Sequence, residues 1–225
     1  MNGMPAVFDV AMFTQLAASF LAIFAVRECF ALRGILPGKY LFTPLVTLSV
    51  ILIALLAGRS GGLGYFTTMV LVGLLLSMVA DTLLMIEESD HFIHGLVFFL
   101  LTHIAYIAAF AQGYAFKNWH WVLMLVLGMG GGAIYAKIKS ASWKLNLAVG
   151  LYVAILASMS FYAWAWIDRP GTTRAVLLPV AATLFMISDS ILAVNTFVKK
   201  IPHSTVFTWT FYAPAQFLIA VSCFY

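Results

Sequence analysis

Long apolar stretches alternate with short polar segments along the chain. A helix that crosses a membrane needs about 20 mostly apolar residues, and eight stretches approach that length. They are residues 7–30, 40–58, 64–86, 92–113, 119–137, 145–167, 173–195 and 204–224. Between them lie segments such as RGILPGK and DRPGTTR, whose Gly, Pro and charged residues are typical of loops. The pattern predicts an all-α, polytopic membrane bundle of about eight transmembrane helices, forming one integral membrane domain over residues 1–225.

The composition excludes a water-soluble globular protein. Charged residues make up 9% of the 225 residues and hydrophobic residues 64%, with a mean hydropathy of +1.03. Soluble domains carry roughly 25% charged residues. The net charge of +4 does not indicate nucleic-acid binding, because the basic residues lie in short loops between apolar stretches. We therefore expect membrane lipid as the surroundings, and the sequence leaves the oligomeric state open.

The distribution of basic residues predicts an orientation in the membrane. With eight spans the loops alternate between two sides, and eight Lys and Arg residues fall on one side against four on the other. The larger group comprises Arg27, Arg33, Lys39, Lys137, Lys139, Lys144, Lys199 and Lys200. Because cytoplasmic loops carry the excess of basic residues, we expect this side to be cytoplasmic and both termini to be non-cytoplasmic. In a bacterium the membrane would be the inner membrane.

Two carboxylates lie well inside predicted spans: Asp81 in LLLSMVADTLLM and Asp189 in TLFMISDSILAV. We expect Asp9, near the start of the first span, to be interfacial, and Glu87 to mark the end of the third span. A charged side chain at mid-membrane costs about 2.5–3.5 kcal/mol on insertion scales. Hydrogen bonding between packed helices is one explanation for such a residue. Two aspartates at matching depth in different spans instead favour a functional site.

Further polar residues fall in the same half of the predicted bundle. They include Thr43, Ser77, His103, Tyr106, Tyr152, Ser188, Tyr212 and Gln216. His103 and Tyr106 are three residues apart, and Tyr212 and Gln216 are four apart, so each pair shares one face of its helix. The sequence therefore predicts one polar pocket in the cytoplasmic half of the membrane.

A short internal similarity relates the two halves of the chain. LLLSMVADTLLM and TLFMISDSILAV occupy corresponding positions four spans apart. This similarity is consistent with a 4+4 parallel repeat, which would bring the two aspartates toward a common axis. The glycine-rich run GMGGGA, residues 128–133, is expected to allow close helix packing.

Four segments of the chain resemble the YhhN-type lysoplasmalogenase family. They are GLLLSMVADTLLM, FIHGLVFFLLTHIAYIAAF, LFMISDSILAVNTF and FYAPAQFLI, and the resemblance runs from about residue 40 onward. They resemble the family's Asp-bearing third span, its F-x-x-G…F…H-x-x-Y span, its F-x-x-SD segment and its closing Y-x-x-x-Q. The chain departs from the family at Ala80, at Thr43-Pro44 and at Ala181-Ala182. These departures leave both aspartates in place.

The resemblance implies hydrolysis of the vinyl ether bond of a lysoplasmalogen, a lysophospholipid with one alkenyl chain. The products would be a fatty aldehyde and glycerophosphoethanolamine or glycerophosphocholine. A vinyl ether is cleaved by acid, so the two aspartates would divide the roles of proton donor and water-orienting base, as paired carboxylates do in glycosidases. Which aspartate takes which role stays open.

The remaining candidate residues would support that chemistry. His103, Tyr106, Tyr212 and Gln216 would position water and the glycerol hydroxyl, with Ser77, Ser188 and Thr43 as hydrogen-bond partners. Lys39, Lys199 and Lys200 could hold the phosphate, but topology and attraction to anionic lipids explain interfacial lysines better.

Other classes of protein remain alternatives. A proton-coupled transporter of small molecules or lipids would also use paired intramembrane acids. A metal-dependent membrane lipid hydrolase would use His91, His94 and His103, but the sequence contains no HExxH motif. We therefore expect neither a metal nor a cofactor. A scaffold protein without chemistry is the last alternative.

Overall fold

The structure is a computed structural model that describes residues 10–86, 91–138 and 142–225, without the side chains of residues 10 and 59–61. The predictions for Asp9 and Glu87 lie outside the described residues, as does Lys139. Eight α-helices follow one another within these described ranges. They are α1 Val10–Leu32, α2 Leu36–Gly61, α3 Tyr65–Met85, α4 Phe92–Phe110, α5 His120–Tyr135, α6 Trp143–Ala165, α7 Arg174–Phe197 and α8 Ser204–Val221.

The predicted all-α membrane bundle is confirmed. Seven of the helices are long and apolar enough to cross a membrane. The remaining helix, α5, has 16 residues, which gives a length of about 24 Å at 1.5 Å per residue. The prediction of eight full-length spans therefore holds for seven helices, and α5 is shorter than the stretch 119–137 predicted.

The short helix α5 nevertheless runs antiparallel to α6 along most of its length. At one end the Trp119 indole donates to Asp168 over 3.0 Å. At the other end the Tyr135 hydroxyl donates to the Asn146 carbonyl over 3.2 Å. Helix α6 has the length of a membrane span. Because α5 contacts both ends of α6, α5 extends over nearly the same distance.

Six helices form a closed ring, and two lie outside it. Around the ring the contacts run α2–α3–α4–α6–α7–α8 and back to α2. Helix α1 packs against α2 and α8 from outside, and α5 packs against α6. The contacts of the first four helices recur in the last four. The fourth helix of the first half, α4, contacts the second helix of the other half, α6, and α8 contacts α2 in the same way. This arrangement is what a 4+4 parallel repeat requires, and it gives α3 and α7 corresponding places.

Small residues bring α3 and α4 together. A Cβ added to Gly73 would lie 2.3 Å from Cε1 of Tyr106, and one added to Gly95 would lie 2.6 Å from Cγ of Leu84. Both distances are shorter than van der Waals contact, so a larger residue at either position would force the helices apart. The two glycines therefore allow the Tyr106 ring and the Leu84 side chain to pack directly against the facing helix.

Candidate active site

A cavity of about 670 Å³ lies at the end of the bundle where α3 and α7 end and α4 and α8 begin. We call it the polar cavity. Asp81 of α3 and Asp189 of α7 both line it. Other polar or charged wall residues are Arg27, Lys39, Thr43, Ser188, Asn195, Thr196, Lys200, Ser204, Thr205, Thr208 and Tyr212. The two aspartates that the sequence singled out thus share one chamber.

Asp81 accepts two hydrogen bonds from hydroxyl groups on other helices. Its Oδ2 accepts from Thr47 Oγ1 of α2 over 2.7 Å and from the Tyr212 hydroxyl of α8 over 2.9 Å. Tyr212 in turn accepts from Nε2 of Gln216 over 2.9 Å, and Oε1 of Gln216 accepts from the Tyr106 hydroxyl over 2.5 Å. A continuous hydrogen-bonded chain therefore links α4, α8, α3 and α2.

Asp189 has a different set of neighbours. Its Oδ2 accepts from the Tyr152 hydroxyl of α6 over 2.5 Å and lies 3.9 Å from Nε2 of His103. Nδ1 of His103 lies 2.6 Å from the carbonyl oxygen of Phe99. A carbonyl can only accept, so Nδ1 carries a hydrogen, and in the neutral ring Nε2 is an acceptor. Among the described residues, this Nε2 has no hydrogen-bond partner.

The two carboxylates have equivalent positions in the repeat. Each contacts one residue from the second helix of its own half: Thr47 for Asp81 and Tyr152 for Asp189. Each also approaches one residue from the fourth helix of the other half, namely Tyr212 and His103. The Phe185 ring packs between these last two residues, 5.4 Å from the Tyr212 ring and 4.9 Å from the His103 ring.

A buried arginine lies in the cavity wall beside Asp81. Arg27 is 1% exposed and interacts electrostatically with Asp81. Its guanidinium pairs with Glu28 and lies 4.2 Å from the centre of the Trp209 ring, a cation–π arrangement that helps to hold a buried charge. Its Nε donates to Thr43 Oγ1 over 3.4 Å. The arginine therefore places a guanidinium, ion-paired with Glu28, in one side of the cavity wall.

The three predicted phosphate-binding lysines differ in position. Lys39 is buried at 7% exposure and lines the polar cavity, and the exposed Lys200 also lines it. Lys199 is exposed and is not part of the wall. The structure thus places only two of these lysines where they could contact a ligand in the cavity.

Several predicted residues lie behind the wall rather than in it. His103, Tyr106, Gln216 and Ser77 are buried and do not line the polar cavity. Ser77 donates to the Leu74 carbonyl over 2.8 Å and lies next to the Tyr212 hydroxyl. Ser188 does line the cavity, and its hydroxyl has no partner within the described part of the chain.

Sequence reasoning missed two residues of this site. The orientation count treats Arg27 as a loop charge although it falls inside the predicted span 7–30, and that position is the available signal. Thr47 follows Thr43 by four residues and so lies on the same helix face, which could have identified it. Tyr152 was noted as a polar residue but without a partner.

Sequence reasoning also missed a polar cluster at the opposite end of the bundle. His120 is fully buried, and its Nε2 lies 3.0 Å from Oδ2 of Asp168. Its Nδ1 accepts from the backbone N–H of Lys117 over 3.0 Å and lies 3.1 Å from the Tyr114 hydroxyl. The Lys117 ammonium also pairs with Asp168 at 3.0 Å. These contacts tie the start of α5 to the end of α6.

The histidines weighed as metal ligands do not converge in the structure. The rings of His91 and His94 contact each other at 5.8 Å, whereas His103 lies in the Asp189 network. Over residues 10–86, 91–138 and 142–225, no group of three or more His, Cys, Asp or Glu side chains could hold a metal ion.

The fold and the polar cavity define a class: a polytopic helical membrane protein with two buried carboxylates and three basic side chains in the wall of one chamber. A family model described as the YhhN family matches residues 38–223. The chain therefore belongs to the YhhN family, as the sequence motifs indicated.

Several relatives carry a descriptive name. Lysoplasmalogenase TMEM86A of Homo sapiens is 30% identical over 169 residues, which cover 72% of this chain and 69% of the relative. The Bos taurus protein of the same name is 28% identical with the same coverage. Lysoplasmalogenase TMEM86B of Sus scrofa is 31% identical over 183 residues, 80% of this chain and 71% of the relative. No solved structure gives a significant match.

Proposed function

We propose that this protein is a lysoplasmalogenase that hydrolyses the vinyl ether bond of a lysoplasmalogen by acid–base catalysis with Asp81 and Asp189. The similarity to proteins named lysoplasmalogenase over 72–80% of the chain supports the reaction class. The observation that carries the mechanism is that both aspartates line one polar cavity inside a membrane bundle. The products are a fatty aldehyde and a glycerophospho-compound.

The chemistry requires an acid and a base. A proton transferred to the β-carbon of the vinyl ether leaves an oxocarbenium ion, water adds to the carbon that bears oxygen, and the hemiacetal collapses to aldehyde and alcohol. A buried carboxyl group favours its neutral form because low dielectric disfavours charge. Two carboxyls in different surroundings can therefore supply the acid and the base together.

The cavity also suits an anionic head group. Arg27, Lys39 and Lys200 supply positive charge in its wall, and basic side chains are the usual partners of phosphate. These residues lie at one end of the bundle, where the head group of a membrane lipid would lie. The site would thus receive its substrate directly from the membrane.

The deciding experiment compares two lipids. The purified protein in detergent is incubated with a lysoplasmalogen and with its saturated alkyl ether analogue, and released aldehyde is measured by mass spectrometry. We expect aldehyde from the vinyl ether alone, because only that lipid can be protonated at carbon. Absence of aldehyde from both lipids would reject the proposal.

The role of the aspartates is tested by substitution. Asp81→Asn and Asp189→Asn should each abolish aldehyde release while the protein remains monodisperse in detergent. Asp168→Asn is the matched control, because Asp168 lies at the opposite end of the bundle. Near-normal turnover in either cavity variant would reject the two-carboxylate mechanism.

A proton-coupled carrier is the second candidate, and the repeated helix arrangement favours it, since internal repeats are typical of carriers. Liposomes that contain the protein separate the two functions. Proton-driven uptake of lysolipid without aldehyde formation would support the carrier, whereas aldehyde formation without coupled flux supports the hydrolase.

A further inference from the structure

A narrow apolar crevice of about 70 Å³ lies beside the polar cavity, between α4, α5, α6 and α7. Its wall is mostly apolar and includes Val153 and Leu156 of α6. The crevice and the polar cavity share three wall residues: Phe92, Asp189 and Leu192. Asp189 therefore lies where apolar and polar surroundings meet, whereas Asp81 lines the polar cavity but not the crevice.

Gly131 of α5 makes the crevice possible. It lines the crevice, and a Cβ added to it would lie 2.8 Å from Cγ1 of Val153. The adjacent Gly132 has nothing within 4 Å of an added Cβ. Within the glycine-rich run, residue 131 thus faces α6, and any side chain there would enter the crevice or separate the two helices.

The polar contacts of the two aspartates also differ, and Asp81 has the more polar surroundings. Asp81 accepts from two hydroxyl groups and lies near Arg27, an arrangement that stabilises a carboxylate. Within the described part of the chain, Asp189 accepts from one hydroxyl group, and it also lies 3.9 Å from Nε2 of His103, an acceptor in the neutral ring. An acceptor beside a carboxyl group favours the protonated acid over the anion.

We infer that the crevice holds the first carbons of the substrate's alkenyl chain, so that the vinyl ether lies at Asp189 and this residue protonates the alkenyl carbon. The inference rests on the proposed lysoplasmalogenase function. A lipid with its phosphate beside Arg27 and its chain in the crevice passes from polar to apolar surroundings at Asp189. The ether bond is the point where the same change occurs in the substrate.

The proton balance of the reaction closes with these roles. The O–H bond of Asp189 breaks as the π electrons of the alkene form the new C–H bond, leaving an oxocarbenium ion and the Asp189 carboxylate. Asp81 takes a proton from the water that adds to the oxygen-bearing carbon. The hemiacetal O–H then returns a proton to Asp189, and Asp81 protonates the departing glycerol oxygen. Both carboxyls regain their initial states, and one water is consumed.

Isotope exchange in D₂O distinguishes the two aspartates. Asp81→Asn blocks water addition but retains proton transfer, so the oxocarbenium ion reverts to alkene by loss of its original β-hydrogen to the Asp189 carboxylate, and deuterium stays on the β-carbon of recovered substrate. Asp189→Asn should show neither exchange nor aldehyde. Mass spectrometry of recovered lysoplasmalogen measures both. Exchange with Asp189→Asn, or no exchange with Asp81→Asn, would overturn the assignment.

Chain-length selectivity tests the crevice with adjacent glycines. Gly131→Leu should lower kcat/KM for long alkenyl chains at least tenfold relative to short ones, and Gly132→Leu should leave that ratio unchanged. If Gly131→Leu does not fold, Ala193→Leu narrows the same crevice. An unchanged ratio in a folded crevice variant would show that the crevice does not hold the substrate chain. A crevice that is filled by a bilayer lipid instead of substrate would give this same result.

Different results overturn the proposed function and the inference about the crevice. No aldehyde from the wild-type protein would overturn the proposed function and the inference with it. Aldehyde from the wild-type protein, together with unaltered chain selectivity in Gly131→Leu or Ala193→Leu, would overturn the inference alone.

Discussion

Asp81 and Asp189 carry the same functional group in unequal surroundings. Asp81 ends a chain of hydrogen bonds that starts at Tyr106 and passes through Gln216 and Tyr212. Asp189 has Tyr152 and His103 as its polar neighbours. Since each hydrogen bond that the two carboxyls accept comes from another helix, the charge state of either carboxyl depends on how those helices pack. The catalytic division of labour proposed for the pair originates in this difference.

Removing the donors to Asp81 should slow the reaction without stopping it. Hydrogen bonds to charged groups contribute about 1.5–3 kcal/mol, so Thr47→Val and Tyr212→Phe are each expected to lower kcat about 10- to 100-fold. Steady-state aldehyde release measures the effect. Thr68→Val and Tyr135→Phe are matched controls, because these hydroxyls bond to backbone carbonyls away from the cavity. Equal losses in the controls would contradict a specific role.

Substitution of Lys39 and of Lys199, which differ in position, tests the head-group site. Lys39 is in the cavity wall and Lys199 is not, so Lys39→Gln should raise KM about tenfold, which corresponds to about 1.4 kcal/mol of binding. Lys199→Gln should leave KM unchanged. Kinetics over a range of lysoplasmalogen concentrations in mixed micelles measure both. A KM that rises equally in the two variants would indicate general lipid attraction instead.

At the scale of helices, the contact between α3 and α4 positions much of the site. Tyr106 packs against Gly73, and from that position its hydroxyl reaches Gln216 on α8. The glycine has no chemistry of its own, so it contributes only through the space it leaves. A site of this kind depends on close helix approach as much as on its polar residues.

Gly73→Ala should disturb the network without removing any polar group. The new Cβ would lie 2.3 Å from the fully buried Tyr106 ring, and overpacking of a buried site costs about 1–3 kcal/mol. We expect a lower unfolding temperature in detergent and reduced turnover. Gly128→Ala is the control, since nothing lies within 4 Å of its added Cβ. Wild-type stability and activity in Gly73→Ala would show that the ring moves at no cost.

For the whole molecule, we propose that both termini are non-cytoplasmic and that the polar cavity opens toward the cytoplasm. The proposal starts from the excess of basic residues on one side. Two of the residues in that excess are inside the protein, because Arg27 and Lys39 are buried. Without them the count is six basic residues against four, which supports the same orientation, and an experiment can test it.

Reporter fusions at both termini test the orientation and the number of spans together. In bacteria, alkaline phosphatase at either end should be active and green fluorescent protein there should be dark, because eight crossings place both termini outside. Opposite results at the two ends would mean seven crossings, with α5 failing to span. Two cytoplasmic termini would reverse the proposed orientation.

The sequence alone determined the class of fold and the location of the unusual residues. Twenty-residue apolar stretches can satisfy their backbone groups in a membrane only as helices, so the spans follow from composition and length. The burial of Asp81 and Asp189 follows from their place within those spans. The shared depth of the polar residues followed from counting along helices of known rise.

Only the tertiary structure decided which residues meet. Thr47 and Tyr212 reach Asp81 from helices far apart in sequence, and His103 approaches Asp189 from the other half of the chain. Whether Arg27 is a loop charge or a buried wall residue likewise depended on how α1 packs against α2 and α8. Helical periodicity fixes the face of each residue on its own helix, but the rotation and neighbours of that helix are set by side-chain packing across the bundle.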